Sequence, residues 1–143
     1  MKKLYYLSFL FIFPFYLQGQ VDQEPIPANR TLLKSIFFGG GSYYIDKEQS
    51  QELADFIYAV ENINRYEILV HSFTDNIGSI SYNQWLSQQR SIAVIEELEL
   101  LDIPLDVLLR ADFGESNPIY DNATYEGKRR NRRVDVILRP LAF

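Results

Sequence analysis

The order of elements in this sequence predicts an α+β fold, a β-α-β-α-β(-β) arrangement in which a small mixed sheet carries two helices packed on one face. Three observations lead there. Short runs rich in β-branched and aromatic residues recur at Leu32–Phe38, Tyr66–Phe73, Leu109–Phe113 and Val134–Leu138. Two stretches between them switch to apolar residues at helical spacing. Gly, Pro, Asp and Asn gather at the junctions, where the chain must turn.

A length of 143 residues suits one domain, and 47% hydrophobic with 23% charged residues allows a real core. Residues 1–19 hold Lys2 and Lys3 and no acid, which leaves 12 basic against 19 acidic residues in the remainder, a net of −7. That balance disfavours nucleic acid and anionic membrane as partners. With no Cys, the sequence offers no disulfide, no thiolate metal site and no lipid-bearing cysteine.

Met1–Gly19 reads as a secretory signal peptide, with two lysines, an apolar run from Leu4 to Leu17 and the small Gly19 at a cut expected before Gln20. The apolar run is shorter than the ~20 residues of a spanning helix, and Pro14 interrupts it. Residues 20–30 contain Pro25 and Pro27 among polar residues and read as a short extended tether. The folded domain is expected over residues 31–143.

Leu32–Phe38 is apolar apart from Lys34 and Ser35 and reads as a first strand, ending at Gly39, Gly40 and Gly41. Those glycines permit close backbone approach to a ligand, but no Gly-Lys-Ser/Thr follows, so they make no phosphate loop. Asp46 can cap a helix, with Gln49 completing a capping-box variant, and Leu53, Phe56, Ile57 and Val60 give that helix an apolar face from Lys47 to about Glu61. Tyr66–Phe73 is the second strand, with the sole histidine, His71, as a plain strand position.

Ser79 or Ser81 can cap the second helix, whose stripe of Ser91, Val94, Ile95 and Leu98 is expected to point away from the flank carrying Asn83, Leu86 and Arg90. Glu96, Glu97 and Glu99 read as a solvated face. After a break at Asp102–Pro104, Leu105–Leu109 can form a further turn, Leu109–Phe113 a third strand and Val134–Leu138 the last, with a helical turn at Thr124–Asn131.

The rest is organised around Phe73–Arg90, FTDNIGSISYNQWLSQQR. Asn83, Leu86 and Arg90 stand at i, i+3 and i+7 and share one helix flank. Asp75, in the turn feeding that helix, places a carboxylate across a small hollow from the guanidinium of Arg90, and a zwitterion fits between them. Tyr43 and Tyr44 are expected on the rim of the same hollow.

With FTDNIGS, YNQWLSQQR, FGESNP and NRRVDVIL in this order and spacing, the chain resembles the OmpA-like C-terminal domain family of peptidoglycan-associated proteins over Thr31–Arg139. The resemblance implies binding of peptidoglycan without cleavage and without a cofactor or metal. It also implies that Asp75 and Arg90 grip the free diaminopimelate end of the stem peptide, with Thr74, Asn76, Asn83, Leu86, Gly40 and Gly41 as further ligand-binding candidates. The partners implied are peptidoglycan and an outer-membrane or envelope protein, and the location is the periplasm. The family usually has Gly-His before Thr-Asp, where Ser72 and Phe73 stand here. The Asn131-Arg132-Arg133 run is read as structural, pairing with acids at the sheet edge, with ligand contact as the alternative. An alternative function is a structural adapter of an envelope complex, and an enzyme of wall turnover is disfavoured because the site carries one acid and no His pair.

Overall fold

Strands β1 (Leu32–Phe37), β2 (Tyr66–Phe73), β3 (Leu108–Gly114) and β4 (Arg133–Pro140) form one sheet in the order β1-β4-β2-β3. The computed structural model describes residues 30–141, so the expected signal peptide and almost all of the tether lie outside the described residues. β4 runs antiparallel to both β1 and β2, while β2 and β3 are parallel, so the sheet is mixed as expected. A parallel neighbour demands a long crossover, and helix α2 (Ile80–Leu100) supplies it.

Alternation along the strands decides which face is covered. Ile36, Ile68, Val70, Val134, Val136 and Leu138 are all buried on one face, against Leu53 and Ile57 of helix α1 (Lys47–Tyr58) and Val94 and Leu98 of α2. The opposite face carries Leu33, Ser35 and Phe37 of β1 and a buried polar group in which Arg133 pairs with Asp135. This pairing agrees with the structural reading of Arg133.

Caps set the helix starts. The Asp46 side chain accepts from Gln49 N–H, and Ser79, rather than Ser81, accepts from Tyr82 N–H. α1 stops at Tyr58 instead of Glu61, its end tightening as Val60 N–H bonds to the Ile57 carbonyl, and Asn62 at φ 56° then starts a 3₁₀ turn over Ile63–Arg65. The helical turn expected at Thr124–Asn131 is a third helix, α3 (Tyr125–Asn131), capped by Thr124. Gly127 is required in it, since a Cβ there would lie 1.9 Å from the Asp121 carbonyl oxygen. Among the described residues no helix is long and apolar enough to cross a membrane.

Candidate functional site

Where β2 ends, the chain turns through Thr74–Gly78 into α2, and the loop after β1 comes down beside it. A hollow of about 270 Å³ lies between them, lined by Gly40, Gly41, Asp75, Ile77, Gly78, Tyr82, Leu86, Arg90 and Arg132. Five of the eight expected ligand residues are therefore brought together: Asp75, Arg90, Leu86, Gly40 and Gly41. The other three do not line it. Thr74 is buried, with its hydroxyl donating to the Asp75 carbonyl, and Asn76 is exposed on the outside of the turn. Asn83 is buried below, with Nδ2 donating to Glu115 Oε2 at 2.6 Å and Oδ1 left without a partner.

Asp75 and Arg90 both line the hollow without pairing directly, and each is held by other groups. Asp75 Oδ2 accepts from Arg132 Nη1 at 2.9 Å, and its Oδ1 accepts from Ile77 N–H at 3.1 Å, which shapes the turn. Arg90 instead donates to three carbonyls, Nε to Ser42 at 2.8 Å, Nη2 to Gly39 at 3.0 Å and Nη1 to Phe73 at 3.1 Å. Its guanidinium also lies 5.1 Å from the centre of the Phe38 ring. Arg90 has no exposed surface, whereas the side chains of Arg132 and Asp75 keep 12% and 8%. Arg90 is thus the floor that ties the Gly39–Ser42 loop to the end of β2, and Arg132 and Asp75 form the mouth. Burial pulls the Arg90 pKa down to about 10, with Arg132 pushing the same way and Asp75 opposing. It remains a cation at neutral pH, so two cations and one carboxylate leave the hollow with a local charge of +1 in a chain of net −5.

Arg132 enters because of strand register. Phe37 faces Arg133 across β1 and β4, so Arg132 adjoins Phe38, exchanging Phe38 N–H to the Arg132 carbonyl (2.9 Å) and Arg132 Nε to the Phe38 carbonyl (3.1 Å). Reading Arg132 as structural is incomplete, since the same side chain faces the hollow. Sequence offered ligand contact there only as the alternative; the β1–β4 pairing is what carries Arg132 to the hollow.

The flank of α2 also differs from expectation. Asn83, Ser87, Arg90, Ser91, Val94 and Leu98 are all fully buried, so the polar residues and the apolar stripe are one continuous flank. Hydrogen bonds make that tolerable: Ser91 donates to Asp112, Gln84 Nε2 donates to the Asp112 carbonyl at 3.0 Å, and Ser87 accepts from Gly114 N–H at 3.2 Å. Tyr43 and Tyr44 do not rim the hollow. They line a second, shallower groove with Ile45, Ala93 and Leu100, and Tyr82 takes their expected place. Among the described residues no group of three or more His, Asp and Glu side chains is arranged to hold a metal ion.

The model of the OmpA family matches residues 37–132 of this chain. Outer membrane protein A of Citrobacter freundii is 31% identical over 109 residues, 75% of this chain and 46% of that protein. The protein of the same name from Escherichia coli O157:H7 is 33% identical over 94 residues, 64% of this chain and 27% of its own length. The match thus spans less than half of these relatives. The peptidoglycan-associated lipoprotein of Burkholderia pseudomallei has a similar fold, with a TM-score of 0.64 at 25% identity over 73% of this chain and 89% of its own. The periplasmic domain of Helicobacter pylori MotB superposes with a TM-score of 0.63 at 22% identity, covering 78% and 76% of the two chains.

Proposed function

The chain belongs to the OmpA family, and from that premise we propose that it binds peptidoglycan without cleaving it, holding an envelope component to the cell wall from the periplasm. The ligand is the free diaminopimelate end of a stem peptide. The observation that supports this most is the Asp75–Arg132 pair at the mouth of a hollow floored by Arg90 and walled by Gly40 and Gly41. An amino acid end carries one carboxylate and one ammonium. Arg132 keeps three N–H groups free of the bonds described above and can take the carboxylate, while Asp75, which already accepts there, takes the ammonium. The surplus positive charge of the hollow draws in the carboxylate first. Arg90 acts from beneath, keeping the loop and the strand end at the separation the ligand needs. Residues 1–19 direct export, 20–30 are the tether, and 31–143 are the binding domain.

Retention on purified sacculi tests the reading. Diaminopimelate walls should retain the protein, and lysine walls, which lack the second carboxylate, should retain it more weakly by roughly 1.5–3 kcal/mol for a charged hydrogen bond. Arg132→Ala should lose the same preference when retention is compared at matched folded fraction. Equal retention on both wall types would defeat the assignment.

A second reading, an adapter within an envelope protein complex, is favoured by one observation. Register aligns Leu33, Ile137, Leu69 and Leu109 in a row across all four strands on the face opposite the helices, with Leu33 60% and Leu109 49% exposed. Absence of sacculus retention, together with recovery of one stoichiometric envelope partner, would favour it.

A further inference from the structure

Beside the hollow, three aromatic side chains stand partly exposed in one cluster: Tyr82 (41%), Trp85 (45%) and Tyr43 (47%). Tyr82 and Trp85, at i and i+3 on the first turns of α2, have ring centres 5.8 Å apart and an interplanar angle of 32°. Tyr43 meets Trp85 edge-on at 6.0 Å and 88°. The cluster is held in place. Tyr82 is wedged between two backbone turns, since a Cβ on Gly78 would lie 3.0 Å from its ring and a Cβ on Gly41 would lie 3.3 Å from its hydroxyl. Braced rings lose little freedom when something lies on them, which lowers the cost of binding.

We propose that Tyr82, Trp85 and Tyr43 form a stacking surface for the sugar rings of a glycan strand, continuous with the hollow. This rests on the reading of the hollow as the stem-peptide site.

Three observations select sugar over other occupants. The lining is aromatic, and its neighbours on the same helix and loop, Ser42, Ser79, Ser81 and Gln89, are neutral, which suits a ligand with an apolar C–H face and a rim of hydroxyls. Nucleobases also stack on aromatic rings, but they come with a phosphate backbone that needs a basic track, and α2 carries no Lys or Arg from Ser79 to Gln89. Continuity supplies the third. Tyr82 lines the hollow and touches the cluster at once. A stem of a few residues reaches on the order of 10 Å when extended, at ~3.3–3.6 Å per residue. The 5.8 Å between the Tyr82 and Trp85 rings falls well within that reach, so the cluster is accessible to a glycan attached to a stem in the hollow.

Trp85 is the only tryptophan in the chain, so its emission reports on this surface alone. The test titrates the full secreted protein separately with the β-1,4 N-acetylglucosamine tetramer, the free diaminopimelate-containing tripeptide, and the same tripeptide carrying its disaccharide. The tetramer should change Trp85 emission saturably. By calorimetry, the disaccharide should improve tripeptide affinity about tenfold, the scale of one aromatic stacking contact. Trp85→Ala and Tyr43→Ala should each erase that gain and leave free-tripeptide binding where it was, with thermal melts confirming that both variants fold. No response to the tetramer, equal affinity for the two tripeptides, or a gain that survives Trp85→Ala would each overturn the proposal. So would an envelope protein that shields Trp85 when the tetramer does not. A response to the tetramer without tripeptide binding would sink the hollow as stem-peptide site and leave the stacking surface standing.

Discussion

The two halves of α2 present the same flank to the same sheet with opposite chemistry. In the second half Val94 and Leu98 are fully buried against Ile68, Val70 and Val136, an apolar contact that stabilises in proportion to area. In the first half Asn83, Ser87, Arg90 and Ser91 are just as buried, and each would destabilise the fold without its hydrogen-bond partners. Burial alone therefore says little about what a residue does. The apolar half can be repacked by many sequences, whereas the polar half works only with its partners in place, and that half lies under the hollow.

The largest effect expected from this contrast is at Arg90. Arg90→Met keeps much of the volume but leaves the buried Phe73 carbonyl and the partly buried Gly39 and Ser42 carbonyls without their donor, at about 1–3 kcal/mol for a buried group and less for the two that water can reach. A loss on the order of 4 kcal/mol in denaturant unfolding is expected, along with sacculus retention, because the loop wall comes free. Arg90→Lys, with the charge but no planar fork, should recover only part of both. An Arg90→Met protein as stable as wild type would end the account of Arg90 as an anchor.

Next comes the apolar half. Leu98→Ala should cost about 3 kcal/mol, within the range for a buried leucine truncated in a core. Under conditions where the variant is folded, its retention on sacculi should equal that of wild type. Comparing retention at matched folded fraction for Leu98→Ala and Arg90→Met sharpens the contrast: a binding loss in both would mean that the two halves are not separable.

The smallest effect lies off the helix, on the far side of the sheet. Burial lowers the His71 pKa from its ordinary value of 6.5, Asp135 works against that and Arg139 with it, and the ring stands edge-on to Phe113 at 5.3 Å. The unfolded chain therefore binds this proton more readily than the folded one. Stability from this residue is full above pH 6.5 and declines as the pH falls through 6.5 toward the lower folded value. The melting temperature of wild type should drop slightly more between pH 7.5 and pH 5 than that of His71→Gln. Identical drops would show that His71 makes no contribution.

Much of this architecture was legible from local pattern. Runs rich in β-branched and aromatic residues marked the strands, the 3.6-residue period marked α1 and α2, and Asp46 and the Ser79/Ser81 pair announced their starts, because each of these signals depends on residues within a turn or two of one another. The turn at Asp75 and its neighbourhood to Arg90 were legible for the same reason, being fifteen positions apart on one continuous turn and helix. The burial of Arg90 was not, since helical spacing says which side chains share a flank but not what that flank meets.

What the sequence by itself determined about this protein is the succession of strands and helices, the family they form, and a carboxylate and a guanidinium placed near one hollow. Only the tertiary structure decided which charges pair. Asp75 meets Arg132 across 57 positions, and no periodicity spans that distance; the antiparallel register of β1 and β4 does, by carrying Arg132 to the end of the strand that opens into Gly39–Gly41. The same holds for the rings. Tyr43, Tyr82 and Trp85 come together because the loop after β1 packs against the start of α2; Tyr43 stands between this cluster and the neighbouring groove, whereas Tyr44 belongs to the groove alone. Local chemistry selects the elements, and hydrogen-bonded register between distant strands selects which of their side chains share a site.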